Sequence, residues 1–188
     1  MDQRGKVIKT FKDGMSDRGV AQGGMSAKPT VLSLIAMLAS NDGVARVKAR
    51  RQLVAQRARA VPPLIKALSD DRHWVRWEAA KALSQIGNQE SIQALLEALS
   101  DKEFDVRWLA AEGLIRIGRK SVVPILAALV GDPDSRWVRE GIHHVLHDMR
   151  KGDMGRVLRP VLLALEGSEP TLEVPLAART ALKELTKA

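Results

Sequence analysis

Cysteine and tyrosine are absent from this 188-residue chain, and its large rings amount to four Trp and two Phe. Without Cys there is no disulfide, no thiol nucleophile and no thiolate metal ligand, and redox logic says nothing about compartment. The scarcity of rings argues against a sandwich of sheets and for thin helical layers joined by Leu, Ala, Val and Ile. Long apolar runs are missing too. None reaches the roughly 18 residues of a membrane span, and the opening stretch lacks an apolar core of signal-peptide length. The expectation is a cytoplasmic protein in an aqueous setting. Acid is the other shortage: 22 Asp plus Glu face 30 Lys plus Arg, a formal charge of +8. That surplus attracts an acidic protein surface, an anionic lipid face or a nucleic acid, and by itself does not choose among them.

Glycine and charge fill the first 29 residues. They hold five Gly, six basic residues against three acids, and brief apolar pairs such as Val7-Ile8. So little apolar surface does not offset the entropy of ordering a chain. Residues 1–29 therefore read as a flexible basic leader, and residues 30–188 as one folded domain.

From Thr30 the pattern turns helical and repeats. Ala60 to Asn88 (AVPPLIKALSDDRHWVRWEAAKALSQIGN) and Glu90 to Arg119 (ESIQALLEALSDKEFDVRWLAAEGLIRIGR) share one layout. Each has a short apolar helix, an Asp-bearing turn, Val-Arg-Trp, a small-residue pair, and a Leu eight residues beyond the Val. Val75 and Val106 stand 31 residues apart, as do Arg76 and Arg107, Trp77 and Trp108, and Gly87 and Gly118. A third copy places Val138-Arg139 32 residues after Val106-Arg107, the extra residue falling in the turn Gly131 to Asp134. Weaker copies flank these: Ala45-Arg46 with Leu53 upstream, and Val174-Pro175 with Leu182 downstream. A period near 31 residues with two helices per unit marks a solenoid, because each hairpin is apolar on both sides and must stack on neighbours. The expected fold is all-α, about five helical hairpins.

Within a second helix, Val75, Ala79, Leu83 and Ile86 form the buried stripe, and Ala80 and Ala82 let adjacent helices approach. Gly87 and Gly118 are expected to end their helices, and turn Asp residues to cap the next ones. Pro175 replaces the repeat Arg at what reads as a helix start, where Pro is tolerated.

Val-Arg-x-x-Ala-Ala-x-x-Leu after an Asp-containing turn, with Val-Pro-x-Leu in first helices, resembles the HEAT repeats, in particular the short bacterial and archaeal type named after the phycobilisome lyases. The resemblance covers about residues 30–186. It implies a right-handed α-α superhelix of the HEAT or armadillo kind, curved so that second helices line the concave face. It also implies that Arg46, Arg76, Arg107 and Arg139 form a structural ladder to turn Asp and backbone groups. No single activity follows from it. Proteins that look like this one include adaptors, chromophore-lyase subunits and DNA-binding repair proteins.

The candidate binding surface follows from the positions one before and two after the repeat Val. These hold Trp74 and Trp77, then Asp105 and Trp108, then Trp137 and Glu140, on a stripe turned by roughly 100° from part of the core stripe. Four Trp on three neighbouring helices, continued by Val47 on one side and Leu176 on the other and edged by Lys81 and His144, have the composition of a protein-binding groove. The expected role is that of a non-catalytic adaptor or assembly subunit with a protein partner. The alternative partner is a nucleic acid, held by the basic run Arg46, Lys48, Arg50, Arg51, Arg57 and Arg59, which contains no acid. A chromophore-lyase-like subunit, presenting an extended planar ligand in the Trp groove, is the reading the resemblance adds.

Catalytic chemistry finds little support. His143 and His147 lie four apart, but no His-Glu-x-x-His accompanies them, and the adjacent His-Glu pairs of HEAT-type iron hydroxylases occur nowhere. Ser84, Ser91, Ser100 and Ser121 have no visible general base. The acids Glu103, Asp105, Asp132 and Asp134 sit in turns, where capping accounts for them. Trp108 with Asp105, or Trp137 with Glu140, keeps open a likeness to HEAT-like DNA glycosylases without other matching features. No catalytic residue, metal ligand or cofactor is assigned.

Overall fold

The first two helix starts follow from side chains that accept the free amides of a first turn, whereas the helices beginning at His73 and Phe104 have no side-chain cap, so the expected capping by turn Asp is not found there. Thr30 Oγ1 accepts the Ser33 amide at 3.1 Å and Asp42 Oδ1 the Val44 amide at 2.8 Å. The computed structural model describes residues 28–131 and 135–187; nearly all of the proposed leader, residues 1–27, and the turn at 132–134 lie outside them. Ten α-helices and no strand occur among the described residues: α1 (Val31–Leu38), α2 (Gly43–Ala55), α3 (Val61–Ala67), α4 (His73–Ile86), α5 (Ile92–Ala98), α6 (Phe104–Ile117), α7 (Val122–Gly131), α8 (Arg136–Met149), α9 (Asp153–Glu166) and α10 (Pro170–Lys187). Short 3-10 turns lead into α3, α5 and α7.

These helices form two layers of a right-handed α-α solenoid. The long second helices α2, α4, α6 and α8 pack in succession, and the shorter α1, α3, α5 and α7 back them. The core runs between the layers through Leu34, Leu53, Leu64, Leu83, Leu95, Leu114, Ile125 and Leu146, all fully buried. The expected stripe is there: Val75, Ala79, Ala80, Ala82 and Leu83 are buried in α4, with Ile86 half-buried at its end. Gly87 closes α4 at φ 64°, a left-handed conformation, and a Cβ there would meet Arg116 Cγ at 2.9 Å. Both facts demand glycine.

The last hairpin departs from the repeat. α9, not α10, lies beside α8, and α10 packs against α7 and α9. His143 on α8 lies 2.8 Å from Glu166 at the end of α9, which fixes that pairing. The order of layers is thus exchanged in the fifth hairpin, and Leu176, expected to prolong the Trp row, belongs to the other layer. The reason lies in what each helix has to cover. α7 (VVPILAALVG) is apolar throughout and needs burial on its far side, which the small stripe Val174, Ala178, Ala181 of α10 supplies at close approach. α9 carries Met154, Leu158, Val161 and Leu162 inward with Arg156 and Arg159 outward, which suits the edge of the stack. Pro175 is also corrected: α10 starts at Pro170, so Pro175 lies inside the helix.

The Arg ladder is present where the structure describes its partners. Arg46 donates to the Ser40 carbonyl at 2.8 Å and Arg107 to the Asp101 carbonyl at 2.8 Å. Arg76 is the fullest rung. It donates to both carboxylate oxygens of Asp101 at 2.7 and 3.1 Å and, through Nη1, to the carbonyls of Asp70 and Asp71 at 3.0 Å each. Burial opposes ionisation of Asp101, but hydrogen bonds from Arg76 and from the Glu103 amide outweigh it and hold its carboxyl below the ordinary 3.8. Hydrogen bonds from Arg72, side chain first and then amide, outweigh burial at Asp70 and lower it to about 2.

The approach of α8 to Leu99, the residue that follows α5, depends on Gly141, where a Cβ would come within 2.8 Å of Leu99 Cδ2. Leu99 is fully buried, so it has little room to yield. Gly141→Ala gains roughly 1 kcal/mol of helix propensity and costs about 1–3 kcal/mol in overpacking. A net loss of about 1 kcal/mol is expected in urea unfolding; a variant more stable than the parent would show that Leu99 can repack.

Candidate functional site

Residues 31 apart in α4 and α6 recur at the same level of their helices, so side chains of successive helices meet in columns across the second-helix layer. Between α2, α4 and α6 these columns leave an open groove of about 690 Å³, walled by Trp77 and Trp108 and edged by Arg51, Lys81, Asp105, Glu112 and Arg116. A smaller notch of about 160 Å³ opens between α6 and α8, lined by Phe104, Arg107, Trp108, Ala111, Trp137, Glu140, Gly141 and His144. Trp108 is the wall common to both. Its ring stacks on His144 with centroids 4.7 Å apart and stands 6.3 Å from Phe104.

The four Trp differ in their exposure. Trp74, Trp108 and Trp137 are 37%, 46% and 51% exposed, whereas Trp77 is half-buried against the core with the Arg50 guanidinium 5.5 Å above it. Trp137 carries Arg107 at 4.3 Å over its ring. Trp74 and the half-buried Val47 line neither cavity. Lys81 borders the groove, while Glu140, which accepts from Arg136 at 2.8 Å, and His144 border the notch. Leu176 is exposed, but in the other layer. Of the expected shell, then, Trp77, Trp108 and Lys81 come together in the groove and Trp108, Trp137, Glu140 and His144 around the notch.

The basic run is divided by a residue the repeat pattern did not single out. Glu78, 3% exposed, accepts from Arg50 at 2.5 Å, with Arg46 Nε at 3.9 Å. Arg46 and Arg50 are therefore ion-pair partners of Glu78 between α2 and α4, which leaves the other four cations of the run as the candidates for an anion. Lys48, Arg51, Arg57 and Arg59 remain exposed, and their side chains meet no hydrogen-bond or ionic partner among the described residues. The signal for Glu78 was its being the single acid of α4, beside a helix α2 with no acid at all.

Two groove acids are engaged by histidines across helix seams. His73 lies 2.9 Å from Asp105, and His144 lies 3.3 Å from Glu112. Arg51, Lys81 and Arg116 have no such partner among the described residues. Phe104 and Arg107 are further site residues that the sequence reading did not assign to the site: Phe104 was not singled out, and Arg107 was read as a ladder residue, which it also is. Among the described residues there is no group of three or more His, Asp or Glu able to hold a metal ion, and no helix long and apolar enough to cross a membrane.

This architecture defines a helical-repeat scaffold, a solenoid of hairpins with one laterally open face. The HEAT-repeat family profile matches residues 31–107 and 92–183, and the chain belongs to that family. Among solved structures it is similar to the complex of CpcE and CpcF of phycocyanin lyase from Nostoc sp. PCC7120, at 25% identity over 93% of this chain and 71% of that one, with a TM-score of 0.48. An engineered protein follows at 24% identity, 84% and 79% coverage and a TM-score of 0.44. A designed armadillo repeat protein shares 19% identity over 83% of this chain and all of its own, with a TM-score of 0.38. No curated protein matches the chain.

Proposed function

We propose that the protein is a non-catalytic adaptor or assembly subunit that binds a protein partner along its second-helix face, with Trp108 at the centre. The observation carrying this reading is the position of Trp108: a large ring 46% exposed, forming one wall of both cavities. An exposed indole between two concavities is the kind of residue that supplies binding energy at protein interfaces. Trp137 and the half-buried Trp77 flank it on neighbouring helices.

Trp108→Ala is the variant of choice, since Trp77 also packs against the core and its removal loosens the fold. With the wild-type protein and a folded Trp108→Ala variant immobilised side by side, a partner captured from native extract should fall at least about tenfold on the variant, with and without nuclease. A partner held equally well by both removes Trp108 from the interface.

The competing reading, a nucleic acid at the amino-terminal pole, draws on the exposed Lys48, Arg51, Arg57 and Arg59. It predicts nuclease-sensitive capture that Lys48→Glu with Arg57→Glu abolishes and Trp108→Ala does not.

A further inference from the structure

From the two cavities and the charges around them, we propose that the partner segment is an acidic peptide with a single apolar anchor residue, the anchor entering the α6–α8 notch and its carboxylates facing Arg51, Lys81 and Arg116. This rests on the protein-binding reading above and specifies the chemistry of what is bound.

The notch is floored by Ala111 and Gly141 and walled by Phe104, Trp108 and Trp137. Its volume of about 160 Å³ suits one side chain of Leu, Met or Phe size. Arg107 does not plug it, because its guanidinium is tied to the carbonyls of Asp101 and Lys102 at 2.8 and 3.1 Å and sits over the Trp137 ring, 4.3 Å from its centroid. On the other side of Trp108 the groove has three cations without an ionic partner against two acids, Asp105 and Glu112, each in contact with a histidine, so cations outnumber acids there. The groove therefore offers positive charge to a ligand, and the notch offers apolar surface.

Spacing gives the proposal a register. Helices in contact lie about 8–10 Å apart, and an extended chain advances about 3.3 Å per residue. One helix separation is thus about three residues and the notch lies half a separation beyond α6, so carboxylates reaching Lys81 on α4 and Arg51 on α2 fall roughly four to seven residues from the anchor. A nucleic acid fits this pattern less well. Its backbone brings a negative charge at every nucleotide, including the stretch beside Glu140 and Glu112, whereas a peptide can place apolar residues there and charge only over the cations.

The test is selection of peptides from a displayed random dodecapeptide library on the full-length protein. Clones that bind Trp108→Ala are discarded, and affinities of synthetic survivors are then measured by fluorescence anisotropy. The expected survivors carry one Leu, Met or Phe with two or more Asp or Glu at that distance. Arg51→Glu with Lys81→Glu should weaken them about tenfold or more, with a loss that diminishes as salt is raised. Survivors that depend on Trp108 but show no acidic enrichment overturn the proposed chemistry and leave the protein-binding reading standing. If no peptide depends on Trp108, both readings fall, and tight binding of a labelled single-stranded DNA that the same charge reversal removes would assign the cations to nucleic acid.

Discussion

Glu78→Ala is expected to lower the unfolding free energy by about 3–5 kcal/mol, a large share of the 5–15 kcal/mol typical of a folded domain. Glu78 faces α2 from the middle of α4, almost without solvent, and serves two guanidinium groups at once. The Arg50 and Arg46 side chains are 12% and 22% exposed, and their Nε atoms have no hydrogen-bond partner among the described residues. Arg50 therefore has this one carboxylate as its partner, and Arg46, which also donates to the Ser40 carbonyl, has it as its countercharge. Taking it away leaves two buried charges uncompensated, and that desolvation cost, not the attraction lost, sets the size of the effect. The cost should be recoverable by removing the charges as well. The neighbouring copies hold Leu109 and Gly141 at the corresponding position, so the layer tolerates an apolar side chain there. Glu78→Leu combined with Arg50→Met should regain part of the loss, because a packed apolar pair is often as stable as a buried ion pair, while Arg46 keeps only its bond to the Ser40 carbonyl. Urea unfolding of the three proteins measures this, and a loss for Glu78→Ala below about 1 kcal/mol would mean that water reaches the seam.

Repetition made most of the fold visible in the sequence. A residue type that recurs every 31 positions at Val75, Arg76 and Gly87 has to do the same job in each unit: the Val faces the core, the Arg ties the turn, the Gly reverses the chain. The end of the stack escaped because the signal there is ambiguous. Val174 and Leu182 keep the eight-residue interval of a second helix, but the interval reports only that one side of α10 is apolar, not which layer that side will cover. That choice was settled by α7, whose continuous apolar surface recruits α10, and it moved Leu176 away from the Trp row. The site was legible in part for a related reason. Helical spacing put the Trp residues on one stripe but carried no information on pairs formed between units, so Glu78 with Arg50, Arg107 over Trp137 and His144 on Trp108 emerged only once the layers were packed. Charge counting said nothing of Arg46 and Arg50 as partners of Glu78 in a seam, because they stand in the most basic stretch of the chain and their acid lies on the next helix.

Arg76→Ala should cost a similar amount, about 3–5 kcal/mol near neutral pH, and its dependence on pH separates it from a simple loss of packing. Arg76 holds together two successive turns: its Nε and Nη2 grip Asp101 while Nη1 serves the carbonyls of Asp70 and Asp71. The variant leaves a carboxylate whose side chain is 9% exposed without its countercharge and two turn carbonyls without their donor. In the wild type the Asp101 carboxyl lies below its ordinary value, so the pair stabilises the fold fully above pH 4 and this contribution is lost as pH falls through the lowered folded-state value. In the variant the hydrogen bonds and countercharge of Arg76 are gone while burial and the Glu103 amide remain, so the Asp101 carboxyl should rise from its wild-type position. The two curves must then converge in acid. The gap between wild type and Arg76→Ala should be widest at pH 6–7 and should narrow as pH falls towards 4 and the variant sheds its unpaired charge. Arg76→Lys, which retains the charge but cannot bridge both turns in one plane, should fall between the two. Urea midpoints of the three proteins across pH 4–7 provide the measurement. A gap of constant width would assign the role of Arg76 to its aliphatic stem and its carbonyl contacts, and would deny the Asp101 pair a part in holding successive repeats together.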